Sequence, residues 1–329
     1  MPLSLFIDGQ KWRSHLNAMV AAKSGLVPVI KGNGYGFGLE FLASESTRLG
    51  VETVAVGLAS EVEKVRSAFA GEIIILSPDH DKEIVTDSTV IQTISDIKLL
   101  ETIDPSTQVI VEILTPLNRH GIQISELNRA TSIIGNRSLK LRGFALHLPL
   151  AKVDKSWIIS VLSKLPRAST VWISHLHDAK EVREKFPDLV FRERIGTSLW
   201  LGNESALEAR ATVLENRNIQ GTAGYRQRKT SGNVIVASGG TAHGIGLTAP
   251  QGDFSIIGRI KIVGRALESF TGKMRSPFTW DGKVLNFLEP PHMQCSLLTS
   301  NKSAQPKVGD ELKVRVRYTT TNFDQIIVR

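Results

Sequence analysis

The stretch Val27-Pro-Val-Ile-Lys-Gly-Asn-Gly-Tyr-Gly-Phe-Gly38 decides the fold of this chain. Its first four residues form an apolar, β-branched run that glycines close, which predicts a short buried strand. Lys31 stands where this strand ends, and a lysine at the carboxyl end of a parallel strand faces the edge where α/β folds keep their sites. Packed among apolar neighbours, the ammonium group would lose solvation. Its pKa would fall, and the neutral amine could attack carbonyl groups.

The glycines after Lys31 do not match either of two common phosphate-binding patterns. The P-loop requires its lysine after the glycines, whereas Lys31 precedes them, and no G-x-G-x-x-G spacing occurs in the stretch. A tight turn carrying a salt-bridged surface lysine therefore remains an alternative, since glycine mainly relieves backbone strain.

The chain after Val27 alternates between short apolar runs and helical patterns, such as those from Leu58 to Arg66 and from Lys155 to Leu165. Eight strands alternating with helices predict an α/β fold of the (β/α)8 TIM-like barrel class. A doubly wound open sheet is the alternative. The predicted strands centre on Val29, Val54, Ile74, Val90, Ile110, Leu141, Trp172 and Val190.

The pattern changes after about Arg226. Asn233–Ala237, Phe254–Gly264 and Glu311–Tyr318 alternate with period two or run as short strands, separated by Gly, Pro, Asn and Asp. This pattern predicts an all-β domain. We therefore expect a barrel over residues 9–225 and a β domain over residues 226–329, which residues 1–8 join.

Composition excludes several classes of protein. The 329 residues contain 41% hydrophobic and 22% charged residues, which is typical of a globular protein. The net charge of +8 is spread among acidic residues, so a nucleic-acid partner is not expected. No signal peptide or membrane span is predicted, and the single cysteine, Cys295, allows no intrachain disulfide. These features predict a cytoplasmic protein without membrane contact.

The Val-Ile-Lys31-Gly-Asn-Gly-Tyr35-Gly-Phe-Gly segment resembles the lysine motif of alanine racemases and other fold-type III pyridoxal-phosphate enzymes. The resemblance implies that Lys31 holds pyridoxal 5'-phosphate as an imine and acts as a base, and that Tyr35 reaches the phosphate. It also implies a barrel followed by a β domain. In this family two subunits form a homodimer, and the β domain of one completes the cofactor pocket of the other. No metal ion is expected.

A second segment, Arg192-Glu-Arg-Ile-Gly-Thr-Ser-Leu-Trp-Leu-Gly202, is similar to the family's Arg-Pro-Gly-Ile-Ala-Leu-Tyr-Gly segment with one extra residue. The resemblance implies that Arg194 faces the ring nitrogen of the cofactor, and that the amides of Gly196 and Thr197 bind its phosphate. An arginine there keeps the ring nitrogen unprotonated, because a guanidinium only donates hydrogen bonds.

Two further stretches resemble the family in part. Val111–Gly121 implies that Arg119 touches the cofactor's phenolic oxygen or the substrate carboxylate, and Glu112 falls where the family has an often carbamylated lysine. A glutamate could supply the same negative partner to Arg119. Gly143-Phe-Ala-Leu-His147 resembles the strand whose histidine bonds to the ring-nitrogen arginine. A buried structural histidine is the alternative for His147.

The β domain departs from the family. The tyrosine that serves as the second acid/base falls on Gly240, so His243 or His292 would have to move that proton. The favoured function is an alanine-racemase-like isomerase that acts at the α-carbon of a small amino acid, with Lys31 and His243 as catalytic residues. The alternatives are a cofactor carrier or regulator without turnover, and a one-base pyridoxal-phosphate lyase or decarboxylase.

Overall fold

Eight parallel strands form one closed sheet within the residues that the computed structural model describes, which are 2–78, 87–247, 274–300 and 305–329. The first strand, β1 (Leu3–Ile7), lies in another sheet. The strands of the closed sheet are β2 (Leu26–Pro28), β3 (Thr53–Val56), β4 (Glu72–Ile75), β5 (Val90–Ile94), β6 (Gln108–Ile113), β7 (Lys140–His147), β8 (Thr170–Ser174) and β9 (Val190–Ile195).

The sheet closes on itself. Its order is β2-β9-β8-β7-β6-β5-β4-β3, and Val29 and Ala55 form a parallel bridge between the two end strands. The amide of Ile30 donates to the carbonyl oxygen of Ala55 at 2.7 Å, which continues this pairing. The predicted barrel is therefore confirmed, and the open doubly wound sheet is excluded.

Helices alternate with these strands as the sequence predicted, and most of the connection between β4 and β5 lies outside the described residues. They are α1 (Gly9–Ala22), α2 (Leu39–Arg48), α3 (Val62–Arg66), α4 (Ile97–Thr102), α5 (Leu127–Asn136), α6 (Lys155–Leu162), α7 (Ala179–Lys185) and α8 (Thr197–Trp200). Asp96 and Asp154 cap the first turns of α4 and α6 by accepting backbone N–H groups. None of the helices among the described residues has the length and apolar character needed to cross a membrane.

Strand residues alternate between two cores. One residue from nearly every barrel strand joins a cluster inside the barrel, made of Val27, Val29, Ala55, Ile74, Ile91, Ile110, Ala145 and Trp172. Their neighbours in the sequence, such as Val109, Val111, Phe144 and Leu146, pack instead into the cluster shared with the helices. This period of two fixes which side chains point into the barrel.

A second sheet contains strands from both ends of the chain. Its order is β11-β14-β13-β12-β15-β10-β1-β16, antiparallel except for the pair of β1 with β16. Its further strands are β10 (Leu207–Ala223), β11 (Arg228–Ser238), β12 (Met274–Trp280), β13 (Lys283–Phe287), β14 (Cys295–Ser300), β15 (Glu311–Val314) and β16 (Gln325–Val328). The all-β pattern predicted for this part of the chain is thus present, and the predicted strand at Phe254–Gly264 lies outside the described residues.

The chain divides into two compact units. The barrel unit contains Ser14–Gly34 and Gly38–Gly202, and the β unit contains Met1–Arg13, Tyr35–Phe37 and Asn203–Arg329. The division after residue 202 falls earlier than the expected division after residue 225. The reason is β10, which pairs with β1, β11 and β15 along its length and so belongs to the second sheet.

Candidate functional site

Polar side chains occupy the inward positions one step beyond the apolar layer of the barrel. Because strand side chains alternate, the inward residues that follow Val29, Ile110 and Ala145 are Lys31, Glu112 and His147. Strand β9 adds Arg194. Its partner in the register on the adjacent strand is Val27, which lies in the apolar layer, so Arg194 also points inward. The four side chains thus meet at the carboxyl ends of the strands, the edge where barrel sites lie. The sequence predicted all four.

Arg194 is the most deeply buried cation of this group. Its residue surface is 4% exposed, and its Nε and Nη2 atoms are buried without a hydrogen-bond partner among the described residues. Burial is the main cause that lowers the pKa of the guanidinium to about 10; the charge of Arg119 acts in the same direction, and the attraction of Glu112 opposes both. Unpaired buried donors are costly in a folded protein, so these two nitrogens mark a place for an acceptor.

Glu112 supplies the negative charge of the cluster. It is 2% exposed, and burial raises the pKa of its carboxyl group, while Arg194 and then Arg119 oppose that rise. The sequence predicted Arg119 as its partner. The structure gives the larger attraction to Arg194, because both residues lie on barrel strands and point inward.

Arg119 lies on the loop after β6, beside His147. Its Nη2 is 3.4 Å from Nδ1 of His147, and Thr115 holds the same segment by donating from Oγ1 to the carbonyl oxygen of His147 at 2.6 Å. Burial first, and then the charges of Arg194 and Arg119, lower the pKa of His147 to about 3. His147 was expected to bond to Arg194, whereas its ring contact in this structure is with Arg119. The imidazole is neutral at ordinary pH.

Lys31 is exposed at this end of the barrel, yet the pKa of its amine is lowered. Partial burial is the main cause, the charge of Arg119 adds to it, and Glu61 opposes both. Glu61 also fixes the loop, because its carboxylate accepts the amides of Gly32 at 2.6 Å and Gly57 at 2.7 Å. The sequence analysis missed Glu61, although its place just before α3, in the connection that follows β3, was a usable signal.

His175 is a second residue that the sequence analysis passed over. It follows β8 in a left-handed conformation, with φ 60°, and its ring centroid is 5.5 Å from that of His147. Burial, and then the charge of Arg194, lower its pKa. Its place directly after β8 is the same strand-end signal that predicted Lys31, and it could have been used here.

The segment after β9 turns directly into the short helix α8. Gly196 precedes this helix, and its carbonyl oxygen accepts the amides of Leu199 and Trp200 at 3.0 Å. The indole of Trp200 donates to the carbonyl oxygen of Val29 at 2.8 Å, which fixes α8 to the strand that carries Lys31. Gly196 and Thr197 therefore lie at the same end of the barrel as Lys31 and Arg194.

The glycine-rich loop passes from one unit to the other. Tyr35 is buried in a left-handed conformation, with φ 55°, and is grouped with the β unit. Gly36 has φ 91°, and a methyl group there would lie 2.9 Å from the carbonyl oxygen of Tyr318. Glycine is needed at this position for both reasons. The predicted contact of Tyr35 with a phosphate stays a prediction.

His243 lies in the β unit with both ring nitrogens engaged. Its Nδ1 accepts the amide of Gly240 at 3.2 Å, and its Nε2 is 3.2 Å from both carboxylate oxygens of Asp324. Asp324 in turn accepts the amide of Leu3 at 2.8 Å. A neutral His243 in this arrangement has no lone pair left for a substrate proton.

Gly240 has no room for a side chain. A methyl group there would lie 2.1 Å from the carbonyl oxygen of His292 and 2.6 Å from that of Met293. Residues 292 and 293 approach this closely because their carbonyl oxygens accept the amides of Thr241 and Ala242. The structure therefore accounts for a glycine where the resemblance leads one to expect tyrosine.

Comparison with known proteins identifies relatives of this chain. Residues 7–160 match the family model described as alanine racemase, N-terminal domain. An alanine racemase of Campylobacter jejuni (strain 81-176) is 26% identical over 190 residues, which are 57% of this chain and 53% of the relative. The chain thus matches only about half the length of that relative. An alanine racemase of Campylobacter curvus is 24% identical over 320 residues, which are 93% of this chain and 90% of the relative.

Solved structures share the fold. The crystal structure of an alanine racemase from Bartonella henselae, which has covalently bound pyridoxal phosphate, superimposes with a TM-score of 0.71 at 17% identity and covers 100% of both chains. The barrel with its β unit is therefore the architecture of these enzymes.

Removal of the buried carboxylate in this cluster should destabilise the protein. Glu112→Gln leaves the Arg194 guanidinium buried without its counter-charge, so we expect the free energy of unfolding to fall by about 3 kcal/mol. Urea denaturation measures this, with Glu63→Gln on the exposed face of α3 as the matched control. An unfolding free energy equal to that of the control would show that Glu112 does not balance Arg194.

The lowered pKa of His147 should make stability depend on pH. Between the ordinary pKa of 6.5 and the folded value of about 3, the unfolded chain binds a proton that the folded chain does not. Acidification across this window therefore favours unfolding. We expect the free energy of unfolding to decrease less steeply in His147→Gln than in the wild type as the pH is lowered from about 6.5 to about 3. In His177→Gln, a change at an exposed position, the free energy of unfolding should depend on pH as in the wild type. Equal slopes in all three proteins would contradict the assignment.

Proposed function

We propose that this chain belongs to the alanine racemase family, whose members it resembles in sequence and fold, and that it uses pyridoxal phosphate to act at the α-carbon of a small amino acid. The observation that carries the proposal is the Arg194 side chain, buried at the mouth of the barrel with two nitrogens that find no acceptor among the described residues. A donor of this kind matches the ring nitrogen of the cofactor, which can only accept from a guanidinium.

The other residues of the cluster fit the remaining needs of this cofactor. Pyridoxal phosphate requires a lysine for its aldehyde carbon, a partner for its ring nitrogen and donors for its phosphate. In the proposal Lys31 holds the aldehyde carbon covalently, and Arg119 faces the phenolic oxygen or the substrate carboxylate. The amides of Gly196 and Thr197, together with Tyr35, bind the phosphate. Backbone amides at the start of a helix after a late barrel strand are a common phosphate site.

Lys31 is also the proposed base. Bound pyridoxal phosphate would withdraw electrons from the α-carbon and so make its proton acidic. Because partial burial and Arg119 lower the pKa of the Lys31 amine, more of it is neutral near neutral pH than of an ordinary lysine. A neutral amine can take the α-proton from one face of the substrate. His147, with a pKa of about 3, stays uncharged beside these cations and serves in positioning Arg119.

Racemisation needs a second proton donor on the opposite face, for which we propose His243. The contacts of His243 with Gly240 and Asp324 oppose this role, because Asp324 would have to release the ring first. The same contacts favour a second candidate function, a one-base lyase or decarboxylase, which needs Lys31 alone. A carrier or regulatory protein that binds the cofactor without turnover is the third candidate.

Deuterium exchange distinguishes these functions. L- and D-alanine and other small amino acids are incubated with the cofactor-loaded protein in heavy water, and the α-carbon is followed by NMR and chiral chromatography. We expect exchange with inversion for a racemase. Exchange with retention indicates one working base, loss of carbon dioxide indicates a decarboxylase, and the absence of all three leaves the carrier.

The covalent lysine gives a prediction that does not depend on turnover. Protein mixed with pyridoxal phosphate and reduced with borohydride should carry the cofactor on Lys31, because this amine has the lowered pKa. Peptide mass mapping measures the adduct. Lys31→Ala should abolish it and Lys64→Ala, on exposed α3, should not. An adduct on another lysine would overturn the assignment.

We further propose that the protein forms a homodimer and works in the cytoplasm. Support for the dimer comes from the family, in which the β domain of one subunit faces the cofactor of the other. The single cysteine is compatible with a reducing compartment. Sedimentation equilibrium should give twice the mass of one chain, and cell fractionation should find the protein with cytoplasmic markers. A fully active monomer would contradict the shared site.

A further inference from the structure

Glu61 connects the glycine-rich loop to the segment that follows the neighbouring strand, β3. Its Oε2 accepts the amides of Gly57 at 2.7 Å and Leu58 at 3.1 Å, which belong to its own turn. Its Oε1 accepts the amide of Gly32 at 2.6 Å, from a segment 29 residues away in the chain. A carboxylate that only caps its turn needs the first two contacts, so the third contact indicates a second role.

The backbone of Lys31 is held on both sides. The amide of Ile30, directly before it, donates to the carbonyl oxygen of Ala55 at 2.7 Å, and the amide of Gly32, directly after it, donates to Glu61. Gly32 is exposed and has φ 63°, a conformation that a glycine leaves at little cost unless a contact fixes it. Two contacts to the β3 side therefore determine the direction in which the lysine side chain leaves the backbone.

The side chains of Glu61 and Lys31 flank one buried backbone position, Gly57. A methyl group at Gly57 would lie 3.1 Å from Oε2 of Glu61 and 3.2 Å from Cβ of Lys31. The carboxylate is thus close to the lysine while its oxygens bind backbone amides. Its charge has a fixed position relative to the loop that carries the amine.

The amine of Lys31 is surrounded by positive charge. Partial burial is the largest cause that lowers its pKa, and the charges of Arg119 and Arg194 act in the same direction. Glu61 acts against them and raises the pKa. It is therefore the carboxylate that favours the ammonium form of this lysine.

The two histidines at the barrel mouth add little charge of their own. Burial first, and then neighbouring cations, lower the pKa of His147 to about 3, and burial also lowers the pKa of His175. Both rings are neutral near neutral pH. The charge state of Lys31 then depends on the two arginines and on Glu61.

A base has to hold the proton that it takes as well as be free to take it. Repulsion from two guanidinium groups keeps an amine neutral, but the same repulsion raises the free energy of the ammonium that forms when the amine accepts a proton. A carboxylate in a fixed position offsets this second effect. Glu61 meets that requirement, since three amides hold its oxygens.

We propose that Glu61 is a positioning residue for Lys31, which fixes the lysine loop against the β3 side and stabilises the ammonium that forms when Lys31 accepts a proton. The role rests on the proposed function, in which Lys31 holds the cofactor and acts as the base. Glutamate suits it because a carboxylate accepts hydrogen bonds at both oxygens and donates none. A glutamine would turn an NH2 group toward Gly32 or toward the amides of the turn, and one set of contacts would be lost.

Acetylation with trace acetic anhydride tests the effect of the charge on the full-length protein without cofactor. Because only a neutral amine reacts, the yield of acetylated Lys31 against pH, measured by peptide mass spectrometry, gives the midpoint of its titration. We expect this midpoint to lie at lower pH in Glu61→Gln than in the wild type. Glu63→Gln, on the exposed face of α3, should keep the wild-type midpoint, and exposed Lys64 serves as the reference amine in each protein.

Hydrogen exchange tests the contact between the two segments. The amide of Gly32 should be protected in the wild type although the residue is exposed, and it should exchange about tenfold faster, or more, in Glu61→Gln. Glu61→Asp keeps a carboxylate on a side chain that is one methylene shorter and does not span both segments. It should also lose the protection of Gly32. A residue that only caps its own turn would leave Gly32 unprotected in all three proteins.

Trapping with pyridoxal phosphate and borohydride connects this role to the proposed function. Half-maximal labelling of Lys31 should require about tenfold more pyridoxal phosphate, or more, in Glu61→Gln than in the wild type, because a misplaced amine reacts less well. If the wild type forms no adduct on Lys31, the proposed function fails. Acetylation and hydrogen exchange then still decide the role of Glu61, since neither uses the cofactor.

Either of two results would overturn the inference. One is an acetylation midpoint of Lys31 that is the same in Glu61→Gln and the wild type. The other is a Gly32 amide that exchanges at the unprotected rate in the wild type. The second measurement needs no variant, so it decides the question even if Glu61→Gln does not fold.

Discussion

The alternation of side chains along a closed parallel sheet is the constraint on which this structure depends. Once Val29 and Ala55 close the ring, every second residue of each strand must point into the barrel. Apolar residues fill that interior in one layer, and the next inward positions fall at the mouth. Lys31, Glu112, His147 and Arg194 are neighbours for this reason alone, although more than 160 residues separate the first from the last.

The electrostatics of the mouth follow from the same constraint. Two carboxylates, Glu112 and Glu61, lie near the three cations of the mouth, so the cluster has an excess of positive charge; the cations are Lys31, Arg119 and Arg194. Burial and repulsion then act in one direction on the basic groups, lowering the pKa values of Lys31, His147 and Arg194 together. A site of this charge suits an anionic ligand, and it keeps a nearby amine and imidazole closer to their neutral forms.

Much of this could be predicted from the sequence because it depends on local pattern. All eight predicted strand centres fall within barrel strands or, for Val29, in the bridge that follows β2, since β-branched runs and glycines mark each strand. Lys31 followed from strand polarity, whereas Glu112, His147 and Arg194 followed from the resemblance to the family. What the sequence could not give were contacts set by returning loops: the Glu61 carboxylate on Gly32, His175 beside His147, and His147 facing Arg119 rather than Arg194. The extent of β10 was also missed, because its polar half resembles a linker.

The closely packed backbone around Gly240 limits how this protein can change. Because the carbonyl oxygens of His292 and Met293 occupy the space of a Cβ atom, a single substitution cannot place a phenol at this position. The turn after Pro291 would have to move first, and that turn also holds His292 and Cys295 in place. A tyrosine at position 240 is thus excluded by the backbone that surrounds this position, and a change of the side chain alone would not make room for it.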